Sequence, residues 1–492
     1  MGTIRRQSIQ SSILYYIGAA IGFLSKILIF PNFLTPEEVG LSNILVTNAM
    51  LYAQFAAVGF GTMTLRFFPY FQDKNRRHHG FLSVLVFVPA IGFAFVTLLV
   101  LVFHGPLLNY FREKSPLMVD YFWYLVPLAL ASLYFDLLDA YLRSLLKTVV
   151  PILFREVIQR ILVVVSILLY AGNWINFSEF IFVYVLLLSS VTLLMFAYVF
   201  WLGHLHIVPR PTWRIKKLMR RIMVYGGFTL LGNISANTLY TIDGNMLAAY
   251  VGMKAVGVYT TSFYITALIL IPWRAIQKVA SPLVSQHWRS GDMAAMDRLY
   301  KRTSLINMGV GSYLFLLMVI GMDTLFSIMP QDFREGKLVI VIVGASRLLD
   351  MVTGLNGYIM VTSRFYRMDL IFNIGLVAIA ISLNAILIPL FGIAGAASAT
   401  AISLVVSNLF RLAFLWLRLG LHPFTKEMFI LGIIVGAAFF VQWLLPFIGS
   451  TFVSFALKST CFTLAFVVPM IYFKLIPDAN RLFDMLWRKA FG

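Results

Sequence analysis

Residues 80–104 read GFLSVLVFVPAIGFAFVTLLVLVFH, a stretch that contains no charged side chain. A helix needs about 20 predominantly apolar residues to cross the hydrocarbon core of a bilayer, and this stretch is long enough. Its flanks are asymmetric, because Lys74, Arg76 and Arg77 lie just before it. The stretch therefore predicts a membrane-spanning helix that begins on the cytoplasmic side.

The remainder of the chain repeats this pattern. Of the 492 residues, 60% are hydrophobic and 12% are charged, and the mean hydropathy is +0.87. Soluble domains carry about 25% charged residues, so a soluble fold is excluded. The apolar stretches predict an all-α polytopic membrane protein with fourteen transmembrane helices and only short loops. They lie near 10–33, 39–68, 80–104, 117–140, 150–171, 179–202, 222–250, 256–282, 303–321, 338–363, 369–389, 394–417, 428–446 and 451–474.

The placement of Lys and Arg predicts that both termini are cytoplasmic. Basic side chains concentrate in alternate loops, most densely in 204–221, which agrees with an even number of spans. The opposite helix ends carry only Arg112, Lys114, Lys254, Arg334 and Lys337. We therefore interpret the net charge of +19 as a signal of orientation, and no nucleic-acid partner is expected.

An internal repeat is indicated by a single shift of the sequence. Moving the chain by 217 positions aligns Gly40 with Gly257, each within a Val-Gly-apolar triplet, and places Lys26 on Asp243. Because both halves begin on the cytoplasmic side, they are predicted to be parallel repeats. The predicted organisation is an N-terminal six-helix lobe at 1–203, a basic linker at 204–221, a C-terminal six-helix lobe at 222–418, and two additional helices with a cytoplasmic tail at 419–492.

Polar stripes on several predicted helices indicate a hydrated cavity, because ionisable groups inside a membrane are costly and usually functional. Basic residues outnumber acidic ones on these stripes, which favours an anionic head group. The candidates for that head group are Lys26, Arg66, Arg274, Arg347 and Arg411. The candidates for a sugar-binding polar lining are Asn43, Asn233, Asn237, Tyr240 and Gln277. An alternative for Arg66 and Arg411 is that they extend to the inner interface.

Lys26 and Asp243 are predicted to form a gate, since repeat-equivalent positions lie at equal depth. A pair between them would close the outer side while the cavity faces inward. Asp243 and Asp350 are also candidates for ion coupling, with a structural salt bridge as the alternative for each. The coupling ion could be a proton or sodium, or the membrane potential could drive transport.

Three stretches resemble the polysaccharide flippase branch of the multidrug/oligosaccharidyl-lipid/polysaccharide exporter superfamily. They are PNFLTPEEVGLSNIL at 31–45, YVGMKAVGVYTTSF at 250–263 and NAILIPLFGIAGAASATAIS at 384–403. The resemblance implies two six-helix lobes around a central cavity, and alternating access that moves lipid-linked oligosaccharide repeat units to the outer leaflet. It further implies undecaprenyl pyrophosphate as the lipid carrier, the bacterial inner membrane as the location, and O-antigen, capsule or exopolysaccharide export as the process. Polymerases or glycosyltransferases would be partners, beside membrane lipids.

The resemblance also bears on individual residues. Related lipid-precursor flippases carry basic residues in helices 1, 2 and 8, and Lys26, Arg66 and Arg274 lie in the corresponding predicted helices. A single Lys where lipid II flippases have an arginine pair favours the branch that moves sugar polymers. The alternative function is a multidrug or metabolite antiporter of the same superfamily.

No enzyme is predicted, and no catalytic residue, cofactor or metal site is expected. The chain has no P-loop pattern, and the loops are too short for a glycosyltransferase domain. The histidines at 78, 79, 204 and 206 are interpreted as solvated loop residues without partner ligands.

Overall fold

The structure is a computed structural model that describes residues 2–73, 78–206, 218, 226–227, 241–444, 449–477 and 480. Throughout these residues the regular secondary structure is helical. By its internal contacts the chain divides into two compact units, Met1–Thr261 and Ser262–Gly492. Helical structure is what a membrane-spanning chain requires, because its backbone groups must be hydrogen-bonded internally in lipid.

The first unit contains thirteen labelled helices within the described residues, the last of which continues into the second unit. They are α1 (Gly2–Phe23), α2 (Phe30–Phe33), α3 (Pro36–Ala57), α4 (Phe60–Phe67), α5 (Phe81–Val102), α6 (His104–Arg112), α7 (Pro116–Asp120), α8 (Leu125–Ser144), α9 (Val149–Ile152), α10 (Gln159–Ala171), α11 (Phe177–Trp201), α12 (241–250) and α13 (Met253–Thr266). Two π-helical segments, Leu24–Ile29 and Leu153–Ile158, connect α1 to α2 and α9 to α10.

The described part of the second unit continues with eight further helices. They are α14 (Leu270–Ser290), α15 (Met293–Ile320), α16 (Met322–Ser327), α17 (Lys337–Thr353), α18 (Asn356–Val361), α19 (Tyr366–Leu419), α20 (Lys426–Trp443) and α21 (Thr451–Tyr472).

Eight helices in the described ranges are long and apolar enough to cross a membrane, or nine if one bent pair is counted as a span. That pair is α3 and α4, which meet at 51° where Val58 and Gly59 adopt left-handed backbone angles. The prediction of a multi-span, all-helical membrane protein is confirmed for these residues, whereas fourteen spans remain a prediction. One 54-residue helix, α19, contains a non-helical Gly392 between two predicted spans.

Local sequence explains where the helices begin. At α3, Thr35 accepts a hydrogen bond from the backbone N–H of Glu38, and the Glu38 carboxylate accepts one from the backbone N–H of Thr35. Pro36 occupies the first helical position, where its missing N–H costs nothing. This reciprocal capping fixes the start of the helix that carries Asn43.

Aromatic side chains fill much of the core of the first unit. Phe68 is fully buried, and its ring lies 5.6 Å from that of Phe81 and 5.4 Å from that of Tyr141. Both pairs have the edge-to-face geometry that aromatic rings favour. The polar residues discussed below therefore lie on helices that are anchored by packed apolar neighbours.

Candidate head-group and gating residues

Lys26 lies on the first π-helical segment and is half-buried. Its ammonium donates a hydrogen bond to Asn43 Oδ1 at 2.9 Å and lies 3.9 Å from the centre of the Phe30 ring. Since an ammonium can only donate, this contact identifies the oxygen of the Asn43 amide. π-Helical turns are rare and often occur at functional sites, so the location of this cation is informative.

Asn43 is also hydrogen-bonded to α13, and it therefore connects Lys26 with that helix. It is 3% exposed, and its Nδ2 donates to Thr260 Oγ1 at 3.2 Å and to the Val39 carbonyl at 2.9 Å. Asn43 and Thr260 are 217 residues apart, which is the shift of the predicted repeat. Facing contacts between repeat-equivalent residues are expected where a two-fold axis passes between two helices.

The two helices approach closely at a pair of glycines with the same separation. A Cβ added to Gly40 would lie 3.0 Å from the backbone nitrogen of Gly257. A Cβ added to Gly257 would lie 2.7 Å from the carbonyl carbon of Pro36. Small residues at helix contacts in membranes allow the backbones to approach, and here only glycine fits.

Further hydrogen bonds surround this contact. Asn48 and Asn245 exchange two amide hydrogen bonds of 2.9 and 2.7 Å, and Ser115 Oγ donates to the Ala248 carbonyl at 2.6 Å. Nearby, burial and a hydrogen bond with Tyr250 raise the pKa of Tyr110 to about 12. The Tyr110 phenol is therefore neutral at physiological pH, and these contacts of α12 with the rest of the first unit are made by uncharged groups.

Asp243 is 1% exposed and accepts a hydrogen bond from the Tyr259 hydroxyl at 2.7 Å. Lys26 and Asp243 both have further polar contacts. The pair predicted between them stays a prediction. Lys26 is hydrogen-bonded to Asn43 on α3, and Asp243 is hydrogen-bonded to Tyr259 on α13.

A second basic group lies against α1. The Arg160 guanidinium donates through Nη1 to the Gly18 carbonyl and forms a 2.5 Å ion pair through Nη2 with Glu156. A Cβ added to Gly22 would lie 2.8 Å from Arg160 Cζ, so the glycine leaves room for the guanidinium in its present position. The Arg160 side chain is 33% exposed, and that of Glu156 is 19% exposed.

In the second unit, Arg347 and Asp350 are held by separate partners. Arg347 is 5% exposed, donates to the Phe263 carbonyl at 3.1 Å, and lies 4.0 Å from the centre of the Phe263 ring. Asp350 accepts a hydrogen bond from Asn408 at 2.9 Å, and Asn408 accepts one from Asn356 at 2.9 Å. Asp350 thus lies in a network of amides, which leaves it available as a candidate for ion coupling.

The remaining predicted residues differ in their surroundings. Arg411 forms a 3.1 Å ion pair with Asp369 and donates to Asn373 at 2.7 Å, so its guanidinium is held within the second unit by these two partners. Gln277 is buried and donates to the Gly354 carbonyl at 3.0 Å. Arg66 and Arg274 are exposed. The predicted residues Asn233, Asn237 and Tyr240 lie outside the described residues.

The family model described as "Polysaccharide biosynthesis protein" matches residues 4–288. The chain belongs to this family. The resemblance drawn from the three sequence motifs is therefore confirmed at the level of the family.

The chain is also similar to one further membrane protein in sequence and to two solved transporters in fold. It is 23% identical over 450 residues to an uncharacterized membrane protein of Methanocaldococcus jannaschii, which covers 86% of this chain and 85% of the relative. A lipid II flippase MurJ in an inward closed conformation has a TM-score of 0.75 at 13% identity, over 95% of this chain and 99% of that one. An inward-facing multidrug resistance MATE family transporter has a TM-score of 0.63 at 16% identity, over 84% and 98%. These likenesses establish the fold.

Two features of this family member were missed from the sequence. Arg160 was not selected, although an acidic and a basic residue four positions apart inside a predicted span could have revealed it. The interpretation of His78 as a solvated residue was also wrong, because it is 3% exposed, its Nε2 lies 3.0 Å from His204 Nδ1 and the two rings stack, whereas His206 is exposed. Among the described residues, no group of three His, Cys, Asp or Glu side chains is placed to hold a metal ion.

Proposed function

We propose that this chain is a flippase for undecaprenyl-pyrophosphate-linked oligosaccharide repeat units. It would move them from the cytoplasmic to the outer leaflet of the bacterial inner membrane by alternating access, for O-antigen, capsule or exopolysaccharide export. Membership of the polysaccharide biosynthesis family supports this substrate class. The shared fold with a lipid II flippase supports handling of a lipid-linked precursor.

One observation carries the proposal: a half-buried ammonium at Lys26 is hydrogen-bonded to the residue that joins α3 to α13. A phosphate that reaches Lys26 would compete with Asn43 for its hydrogens, since charge-assisted bonds to phosphate are strong. Loss of that bond would weaken the contact between the two helices. Binding of an anionic head group and opening of this contact are thereby linked.

The proposed arrangement has fourteen spans, cytoplasmic termini, and lobes at 1–203 and 222–418 around a central cavity. The contacts of Gly40 with Gly257 and of Asn43 with Thr260 support the repeat, because both join positions 217 residues apart. Asp243 and Asp350 are proposed to respond to a proton or sodium ion. The chain is proposed to act as a transporter and not as an enzyme, in association with polymerases or glycosyltransferases.

The test is deletion of the gene followed by analysis of surface glycan and of lipid-linked intermediates. We expect surface glycan to be lost and intermediates to accumulate on the cytoplasmic side, with rescue by the wild type. The variant Lys26→Gln should fail to rescue, whereas Lys458→Gln is a matched control outside the candidate site. Unchanged glycan together with increased sensitivity to cationic drugs would reject the proposal and favour the antiporter.

A further inference from the structure

Arg160 is predicted to lie near the middle of the membrane. It is the eleventh residue of the predicted span 150–171, and Gly22 is the thirteenth residue of the span 10–33. At about 1.5 Å per residue, both are roughly 15–18 Å along their spans, which is about half of a 30 Å hydrocarbon core. An arginine at that depth is expected to serve a function.

The contacts of Arg160 place it beside Lys26. On α1 and the π-helical segment that follows, the Gly18 carbonyl accepts from Arg160, and Gly22 makes room for its guanidinium. Lys26 follows Gly22 by four residues, about one helical turn. Arg160 therefore contacts the helix about one turn before the residue that carries the second cation, and Glu156 is the carboxylate paired with Arg160.

This pair of cations suits a pyrophosphate. A guanidinium can bind a phosphoryl group through two parallel N–H donors, and an ammonium can bind a second one as a point charge. Both side chains are partly exposed, so a ligand can reach them. An incoming anion would also relieve the repulsion between the two cations.

We propose that Arg160 is the second cation for the head group, and that Glu156 is a resident counter-ion that the pyrophosphate displaces. This rests on the proposed function, which it deepens by naming a binding residue on α10. Arg160 also donates a hydrogen bond to the Gly18 carbonyl on α1. If its guanidinium binds phosphate instead, that bond to α1 is lost. Because Lys26 holds Asn43, the same ligand acts on the contact of α3 with α13.

The test measures binding to the purified full-length protein in lipid nanodiscs by calorimetry. The probes are inorganic phosphate, inorganic pyrophosphate and farnesyl pyrophosphate. We expect Arg160→Gln to weaken binding of farnesyl pyrophosphate at least tenfold and Glu156→Gln to tighten it several-fold. The control is Arg155→Gln, because Arg155 lies in the π-helical segment directly before α10 and is paired with Asp136, so this variant should bind like the wild type.

Tighter binding of farnesyl pyrophosphate than of inorganic pyrophosphate supports a lipid head group as the ligand. Equal affinities for the two probes would indicate a free anion and overturn the assignment of a lipid ligand. Equal effects of Arg160→Gln and Arg155→Gln would overturn the role of Arg160. Weaker binding by Glu156→Gln would show that Glu156 is only a structural brace. Misfolding cannot produce the expected gain in affinity, so that variant tests the inference independently of stability.

The genetic test separates this inference from the proposed function. A wild-type protein that binds farnesyl pyrophosphate through Arg160 but does not restore surface glycan would refute the flippase while sustaining the binding site. If the wild-type protein restores surface glycan while Arg160→Gln binds farnesyl pyrophosphate normally, the flippase function is supported and the binding role of Arg160 is refuted.

Discussion

Replacing Gly257 by alanine tests whether the contact of α3 with α13 is the closed side of a two-state transporter. The added Cβ would lie 2.7 Å from the carbonyl carbon of Pro36. Carbon atoms that pack without strain are about 3.5–4.0 Å apart, so the two backbones must separate by about 1 Å. The substitution should therefore destabilise the closed state, in which these two helices are in contact.

The magnitude follows from the cost of overpacking. Adding atoms to a packed site costs about 1–3 kcal/mol, and this cost falls on the state in which the contact is made. The ratio of closed to open molecules should then fall about 5- to 150-fold. Alanine also favours the helix by about 0.5–1 kcal/mol relative to glycine, so a control with the same exchange is needed. Gly375→Ala provides it, since a Cβ there meets nothing within 4 Å.

The population can be measured by the reactivity of a buried cysteine on α3, next to Asn43. Ser42 lies on α3 and is fully buried, so Ser42→Cys should react slowly with a soluble maleimide. The single native cysteine, Cys461, is first replaced by serine. When opening is fast relative to labelling, the labelling rate follows the open fraction, and Gly257→Ala should raise it by the factor given above.

Equal labelling rates in Gly257→Ala and Gly375→Ala would refute the two-state reasoning. A faster rate accompanied by loss of the monodisperse peak in size-exclusion chromatography would show unfolding and not opening. A faster rate in a well-folded protein, together with reduced transport, is the predicted combination.

Four further predictions concern other polar contacts. Exchanging the charges of Lys26 and Asp243 should restore transport that each single reversal abolishes, and a double variant no better than the singles would reject the gate pair. Asn43→Ala should lower the free energy of unfolding by about 1–3 kcal/mol, since it leaves buried partners unsatisfied, as measured by denaturant titration. Arg347→Lys should retain the charge but lose the planar contact and lower the thermal midpoint by several degrees. Burial and the neighbouring His204 lower the pKa of His78 to about 4, whereas a histidine in an unfolded chain titrates near pH 6.5. Acidification from about pH 6.5 towards about pH 4 should therefore increase proteolysis near His78 progressively, and this dependence should vanish in His78→Phe.

The sequence predicted helices and several functional residues but not how those residues combine. Lys26 and Asn43 were selected separately, one as a cation and the other as polar lining, and the structure joins them through a hydrogen bond. A polar stripe identifies a helix face but does not specify which neighbouring helix it meets. Asn43 and Thr260 meet because two repeat-related helices approach at glycines, and this depends on tertiary packing.

The π-helical segments and the sharpest bends also escaped prediction. A π-helical turn depends on one inserted residue, which hydrophobic periodicity does not reveal. Pro89 lies inside the continuous helix α5. The bend between α3 and α4 occurs at Val58 and Gly59. Valine is unfavourable in the left-handed region, so its conformation there is imposed by tertiary contacts.

The energetics indicate why a single cation would be an inefficient switch. A hydrogen bond to a charged group contributes about 1.5–3 kcal/mol, so removing the bond between Lys26 and Asn43 would shift a two-state equilibrium by roughly 10- to 150-fold. Moving a transporter from 99:1 to 1:99 requires about 5.5 kcal/mol. A ligand that also transfers Arg160 from the Gly18 carbonyl to phosphate would add a second contribution of about 1.5–3 kcal/mol. Lys26 on the π-helical segment after α1 and Arg160 on α10 can therefore together supply most of the required shift, and any remainder falls to ion coupling at Asp243 or Asp350.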